Sequence, residues 1–258
     1  MNDVTSSGNP AATLQLLWRE HLPPDSSPRR GPRRGLEFNT IVEAATSLAD
    51  EHGLTALTMR RLAERLNIRP MSLYTYIPGR AELLDMILDD AYLKMPRPPF
   101  ETAPWQVRVR AVAASNFDLY KRHSWAAHLS TLRPPLGPGQ MAKYEYELSA
   151  FDGSGLGDLA TDDALTFLLS FVRNAARDIH SARDTSRAGG TDQEWWDEAG
   201  PLLAHNVNDK SYPLASRVGS AAGAAHGSAH DPHHAYAFGL QQTIRALELL
   251  ATDGPTGD

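Results

Sequence analysis

The chain has 258 residues, no cysteine, 41% hydrophobic and 22% charged residues, and a formal net charge of −6. That length supports one large or two modest domains with a real core. The missing cysteines exclude disulfides, zinc fingers and thiol catalysis, and no apolar run approaches the roughly 18 residues of a membrane span.

Charge is divided unevenly. Residues 29–80 carry nine arginines against five acids, whereas residues 81–258 hold the negative excess. A basic head on an acidic body directs the head at phosphates and keeps the body off them. Residues 1–8 are polar and lack the basic and apolar blocks of a secretion signal, so the expected location is the cytoplasm, with no membrane partner.

In chain order, residues 1–35 contain Pro10, Pro23, Pro24, Pro28 and Pro32 and read as a flexible arm, with at most a short helix over 11–21. The arm closes on the basic cluster Arg29, Arg30, Arg33 and Arg34. Ile41, Ala44, Ala45, Leu48 and Ala49 then form the stripe of an amphipathic helix that Gly53 stops. Thr58 is placed to N-cap a second helix with Met59, Leu62, Ala63 and Leu66 buried. Residues 67–70 make a turn of helix-turn-helix length. A short third helix over 71–76 faces Leu73 and Ile77 inward. After Pro78 and Gly79, a fourth helix over 80–93 places Leu84, Ile87, Leu88 and Ala91 on one face. Pro96, Pro98 and Pro99 end it, which sets a first domain at 36–93 and a second at 94–258.

The second domain also reads as helices. One follows Pro104 and carries Trp105, Val109, Val112 and Tyr120. Others are expected over 125–132, 139–151, 161–183, 193–205 and 233–251, with loose loops at 184–191 and 219–232. No segment alternates with period two between hairpin turns, so the fold class is all-α. The helix over 161–183 has Leu165, Leu168, Leu169 and Val172 in one stripe, with Phe167 and Phe171 leaving another side apolar. A helix apolar on both sides needs two partners.

The informative segment is LTMRRLAERLNIRPMSLYTYIPGRAELLDMIL. A DNA major groove about 12 Å wide admits one α-helix. No acid stands between Asn67 and Gly79, and Ser72, Thr75 and Tyr76 point outward behind Pro70 and Met71. Tyr74, Thr75 and Tyr76 bring hydroxyls suited to phosphate oxygens, and Arg60 and Arg80 flank them.

This stretch resembles the DNA-binding domain of the TetR/AcrR family of bacterial repressors over residues 36–93. The shared pattern is a Thr-capped helix with an R-L-A core, a four-residue turn, the SLYTYI helix, a basic residue and a Leu-Leu pair. Farther on, RHSWAAHLSTLRP and YAFGLQQTIRALELL are similar to the tetracycline-repressor-like effector domain. The resemblance implies a three-helix DNA-binding domain joined to a helical effector and dimerisation domain. It implies a homodimer, with helices near 161–183 and 233–251 at its interface. It also implies repression at a near-palindromic double-stranded operator, relieved by a small hydrophobic or amphipathic effector.

By the same resemblance, Thr58, Tyr74, Thr75, Tyr76 and Arg80 go to phosphates, and Arg60, Pro70, Met71 and Ser72 to base edges. Pro70 and Met71 depart from the family pattern and point to thymine methyls. The arginine arm is assigned to phosphate or minor-groove contact. The effector candidates are Met86, Trp125, His128, Tyr144, Phe171 and Asn174, although aromatic residues of this kind also fill cores. His128 falls where the tetracycline repressor has a ligand to drug-bound magnesium, but a lone histidine on a helix is as a rule a packed residue. The group His226, His230, His233, His234 and Asp231 lies in a segment read as a loop too loose for a rigid metal site. No metal or cofactor is therefore assigned.

No G-x-S-x-G, P-loop or H-E-x-x-H is present, and the chain is not read as an enzyme. Two rival readings stay open. One is an architectural DNA binder without an effector; the other is a helical enzyme with a DNA-binding head.

Overall fold

The computed structural model describes residues 3–21, 36–207 and 210–252, and these hold twelve α-helices and no strand. The chain is all-α, as its periodicity predicts. α1 (Pro10–Leu17) lies in the N-terminal segment. α2 (Phe38–His52) buries Ile41, Val42, Ala45, Leu48 and Ala49 and ends at Gly53, whose φ of 74° lies in the left-handed region open to glycine. A 3-10 turn (Leu54–Ala56) leads into α3 (Met59–Arg65), where the Thr58 side chain accepts the Arg61 N–H at 3.2 Å. Asn67 turns the chain at φ 52°, a conformation its short polar side chain tolerates. α4 (Pro70–Leu73) is a single turn with proline at its first position, held inward by Leu73 and Ile77, both fully buried.

α5 (Arg80–Leu93) is buried from Glu82 through Asp89 without interruption. A helix covered on every side must run through the molecule, and this one joins the helix-turn-helix unit to the larger domain. Burial of Leu83, Leu84, Ile87 and Leu88 stabilises it by about 2 kcal/mol or more apiece.

The larger domain comprises α6 (Trp105–Arg122), α7 (Ser124–His128), α8 (Pro138–Ser149), α9 (Asp158–Gly189), α10 (Asp192–Asn206), α11 (Pro213–His226) and α12 (Pro232–Thr252). α6 and α12 pack on α9, enclosing Val109, Val112, Leu165, Leu168, Val172, Ile244 and Leu247. α8 packs on α5, and the approach is so close that a Cβ at Gly139 would meet the Asp89 carbonyl oxygen at 2.0 Å. Among the described residues no helix is long and apolar enough to cross a membrane.

Several expectations are corrected. The segment 184–189 continues α9 because no breaker precedes Gly189 and Gly190, the latter at φ 108°. Much of 219–232 belongs to α11, where alanine supplies helix propensity and Gly223 makes room for the Trp196 ring. α7 stops at His128, four residues early, since the chain then extends so that Ser130 can bridge Val4.

The larger correction concerns residues 1–35, expected to be a flexible arm. Residues 3–21 form a strap that crosses α5 and the segment after α7. Asn9 caps α1 by accepting the Ala12 N–H at 3.1 Å, and Leu17 and Thr13 are buried. The Thr5 hydroxyl donates to the Ser130 carbonyl at 3.0 Å, and the Trp18 indole donates to that of Leu136 at 2.7 Å. Arg29, Arg30, Arg33 and Arg34 lie outside the described residues.

Candidate nucleic-acid interface and effector region

Local sequence sets up the surface on α3 and α4. Leu62, Ala63, Leu73 and Ile77 are buried and fix the two helices against the body, which leaves Thr58, Arg60, Pro70, Met71, Ser72, Tyr74 and Thr75 exposed. Met71 is 75% exposed, at the start of α4. Thr75 Oγ1 donates to the Ser72 carbonyl at 2.7 Å, and Tyr76 is half-buried. Arg60 pairs with Glu64 at 2.9 Å in an exposed i, i+4 bridge. Such a pair contributes little in water, so the guanidinium is readily exchanged to another anion.

Arg80 is not placed as expected. Its Nε donates to the Leu57 carbonyl at 2.8 Å and its Nη2 to that of Leu54 at 2.8 Å, while both Nη atoms engage the Asp3 carboxylate. A guanidinium committed in this way has no free fork for a phosphate. It ties the turn before α3, and the strap, to the start of α5. Sequence reading passed over Arg61 and Arg69, both exposed and without a side-chain partner among the described residues. The signals were the Arg60–Arg61 doublet and the arginine immediately before Pro70.

The connecting helix is held by carboxylates spaced i, i+3 and i+7. Glu82 accepts the Asn9 N–H at 3.2 Å, and Asp85 accepts that of Ser6 at 2.8 Å. Asp89 accepts those of Gly139 and Gln140 at 3.1 and 2.8 Å. Burial pushes the Asp85 carboxyl up to about 6 and raises that of Asp89 as well. A second joint lies at the end of α2, where Asp50 accepts the Trp125 indole N–H at 2.7 Å and meets His123 Nδ1 at 2.9 Å.

The effector candidates differ in their surroundings. Trp125 is committed to that joint. Met86 is buried in α5. The Tyr144 hydroxyl donates to Asp162 at 2.7 Å, which holds its pKa above the usual phenol value. Phe171 stacks on Tyr236 across α9 and α12, with ring centroids 6.0 Å apart. Asn174 is exposed, seven residues from Phe167 and therefore on the same side of α9. His128 is exposed rather than packed. Partial burial and the nearby Arg177 and His180 lower its pKa, and the positive charge of Arg177 opposes a metal ion there. Among the described residues no group of three or more His, Asp or Glu side chains could hold a metal.

The structure does bring together a polar set that sequence reading missed, inside the larger domain. Lys143 pairs with Glu147 at 2.7 Å, with both side chains buried, and Asn116 of α6 donates to the same carboxylate. The Lys143 ammonium lies 5.1 Å from the centre of the Tyr92 ring. Burial raises the pKa of Tyr92 well above the phenol range and pushes Tyr120 up to about 12. Asn116 Oδ1 and Arg173 Nε are buried without hydrogen-bond partners. The i, i+4 spacing of Lys143 and Glu147 was visible in the sequence, but that pattern is ordinary on an exposed helix face.

An exposed helix-turn-helix mounted on a buried connecting helix, under a helical body with a polar interior, defines a DNA-binding regulator. Residues 41–87 match the family model for bacterial regulatory proteins of the tetR family, and residues 97–250 match the tetracyclin repressor-like C-terminal domain. The chain is 34% identical over 254 residues to the HTH-type transcriptional repressor DrrR1 of Streptomyces coeruleorubidus, covering 96% of this chain and 89% of that protein. ActR of Streptomyces coelicolor, solved in complex with actinorhodin, aligns with a TM-score of 0.71 at 28% identity, over 84% of this chain and 99% of ActR. A class A tetracycline repressor from Escherichia coli is 39% identical over 54 residues, 21% of this chain and 25% of that protein. The protein belongs to the TetR family of transcriptional regulators.

Proposed function

We propose that the protein is a ligand-responsive repressor that acts in the cytoplasm, as a homodimer, on a near-palindromic double-stranded operator. The observation that carries the reading is the exposed tip of α4. Met71 stands 75% exposed beside Pro70 and Ser72, and the surface around it carries unpaired arginines but no acid between Asn67 and Gly79. A large apolar side chain held out on such a helix suits a thymine methyl in the major groove. Thr58, Arg60, Tyr74, Thr75 and Tyr76 keep their assigned contacts in this reading, joined by Arg61 and Arg69 on phosphates.

Exposed apolar side chains on α9 and α12 support the dimer. Leu159 and Phe167 are 77% and 55% exposed, and Phe238 and Leu249 are 59% and 66% exposed. Two copies meeting through this patch form a self-complementary four-helix interface. For the effector, the buried set around Lys143, Glu147 and Asn116 is the favoured anchor. A buried ion pair is seldom more stable than well-packed apolar side chains, so its retention points to a ligand with polar groups on an apolar body. ActR, which binds actinorhodin, supports an effector of small-molecule size.

The test selects operators from random duplexes with the full-length protein, then titrates each thermal-shift hit with and without operator. Repression with an effector predicts release and an affinity change of about 5–150-fold. Equal ligand affinity in both titrations would favour the architectural reading.

A further inference from the structure

Between the strap and the segment after α7 lies a cleft of about 450 Å³. Its construction is unusual. The strap is laced to that segment at both ends, through Thr5 to the Ser130 and Arg133 carbonyls and through Trp18 to the Leu136 carbonyl. The middle is left unfilled. Leu14 and Leu17 of α1 line one side, and Leu132 and Leu136 the other. Leu132 is 92% exposed and Leu136 51%, an arrangement with no benefit to an isolated chain in water.

Three polar side chains break the apolar lining. The Ser6 hydroxyl donates to the Pro134 carbonyl at 3.0 Å, and the other two have no side-chain partner among the described residues. Thr13 lines the cleft at 5% exposure, and its Oγ1 makes no hydrogen bond. Burial without a partner is unfavourable for a hydroxyl, so this group is poised for an incoming acceptor or donor. Arg133 also lines the cleft, and its guanidinium is exposed and unpaired. No lining residue is acidic. The volume falls in the range of small-molecule sites, which combine apolar walls with a few placed polar groups.

We propose that this cleft binds a small apolar carboxylic acid. Its carboxylate pairs with Arg133, its body covers Leu132, Leu136 and Leu14, and Thr13 hydrogen-bonds a polar atom at the inner end. The site is separate from the interior set assigned to the effector above, and its test uses no DNA. Failure here therefore leaves operator binding untouched, and the reverse also holds.

The probe is 2-naphthoate, titrated calorimetrically into the full-length protein, with neutral 2-naphthamide as the comparison. Saturable binding of one naphthoate per chain is expected, with the amide weaker. Leu132→Asp places a carboxylate in the mouth, and Arg133→Gln removes the counter-charge. Each should weaken naphthoate about tenfold or more, as loss of a charged hydrogen-bond partner does, with unchanged thermal melts because both positions are exposed. Thr13→Val should weaken it less, and Arg133→Gln should leave the amide unaffected. Absence of saturable binding overturns the proposal, as does equal affinity for acid and amide, or indifference to both mouth variants. Sensitivity only to Glu147→Gln would place the probe in the interior and overturn it too. A change in oligomeric state with Leu132→Asp would assign the apolar patch to a second copy of the chain instead.

Discussion

At Met71 an apolar side chain projects from a helix whose inner residues are locked by Leu73 and Ile77, so its position is set by packing rather than by solvent. Truncating it removes methyl contacts without disturbing α4. Met71→Ala should cost about 1–3 kcal/mol at one or two operator positions and nothing elsewhere. Selections from random duplexes with wild type and variant would reveal this as a local change in base preference, and identical preferences would refute the contact. The arginines divide differently. Arg69 is exposed and unpaired, so Arg69→Ala should weaken binding to all sequences alike and reduce the salt dependence by about 0.9 in the log–log slope. Arg80→Ala should leave that slope unchanged. It should instead lower folding stability by about 2 kcal/mol, because charged hydrogen bonds to Asp3, Leu54 and Leu57 are lost together. Salt titrations and thermal melts of the two variants separate these outcomes.

The strap and α5 work as a pair of elements. Backbone N–H groups of the strap end on α5 carboxylates, and the fit is tight enough that a Cβ at Gly8 would come within 2.1 Å of Glu82 Oε1. Asp85 accepts the Ser6 N–H through Oδ1, while its buried Oδ2 has no partner. Burial raises its pKa from 3.8 to about 6, so the folded protein holds a proton that the unfolded chain has released across that window. Its contribution to stability is fully present below about pH 4 and is lost as pH rises through about 6. Asp85→Asn keeps the Oδ1 acceptor and abolishes the titration. The variant should melt a few degrees above wild type at pH 7, with the gap closing towards pH 4. A constant gap across that range would mean that Asp85 does not titrate there. Little of this strap was legible in the sequence. The Asn9–Pro10 start of α1 carried a cap signal, but five prolines in 35 residues read as disorder, and the partners lie 79 and 125 residues away. The helix-turn-helix was legible because its stripe, cap, turn and inward pair are all local. Arg80 misled for the opposite reason, since its position in the motif is local whereas its partner Asp3 is not.

Across the whole molecule, the proposed effector response has two physical routes from the larger domain to α4, through α5 and through the contact of Asp50 with Trp125 and His123. Trp125 was an effector candidate from sequence. Its 2% exposure and its bond to the end of α2 make it part of the joint. In the proposed mechanism, an effector that tilts α5 without moving α2 would strain that joint, so the two domains would turn together. In a dimer both recognition helices then leave the spacing of about 34–36 Å set by successive major grooves. Trp125→Phe keeps a buried ring and deletes the indole donor, while Asp50 keeps its contact with His123 Nδ1 and is exposed enough to be hydrated. The variant should bind operator and effector separately much as wild type does. Its coupling factor should fall from about 5–150-fold towards unity. Linkage requires the same fall in both directions, in the weakening of operator by effector and of effector by operator. An effector found by thermal shift, titrated in both orders against wild type and variant, measures all four values. Equal coupling in the two proteins would place transmission in α5 alone.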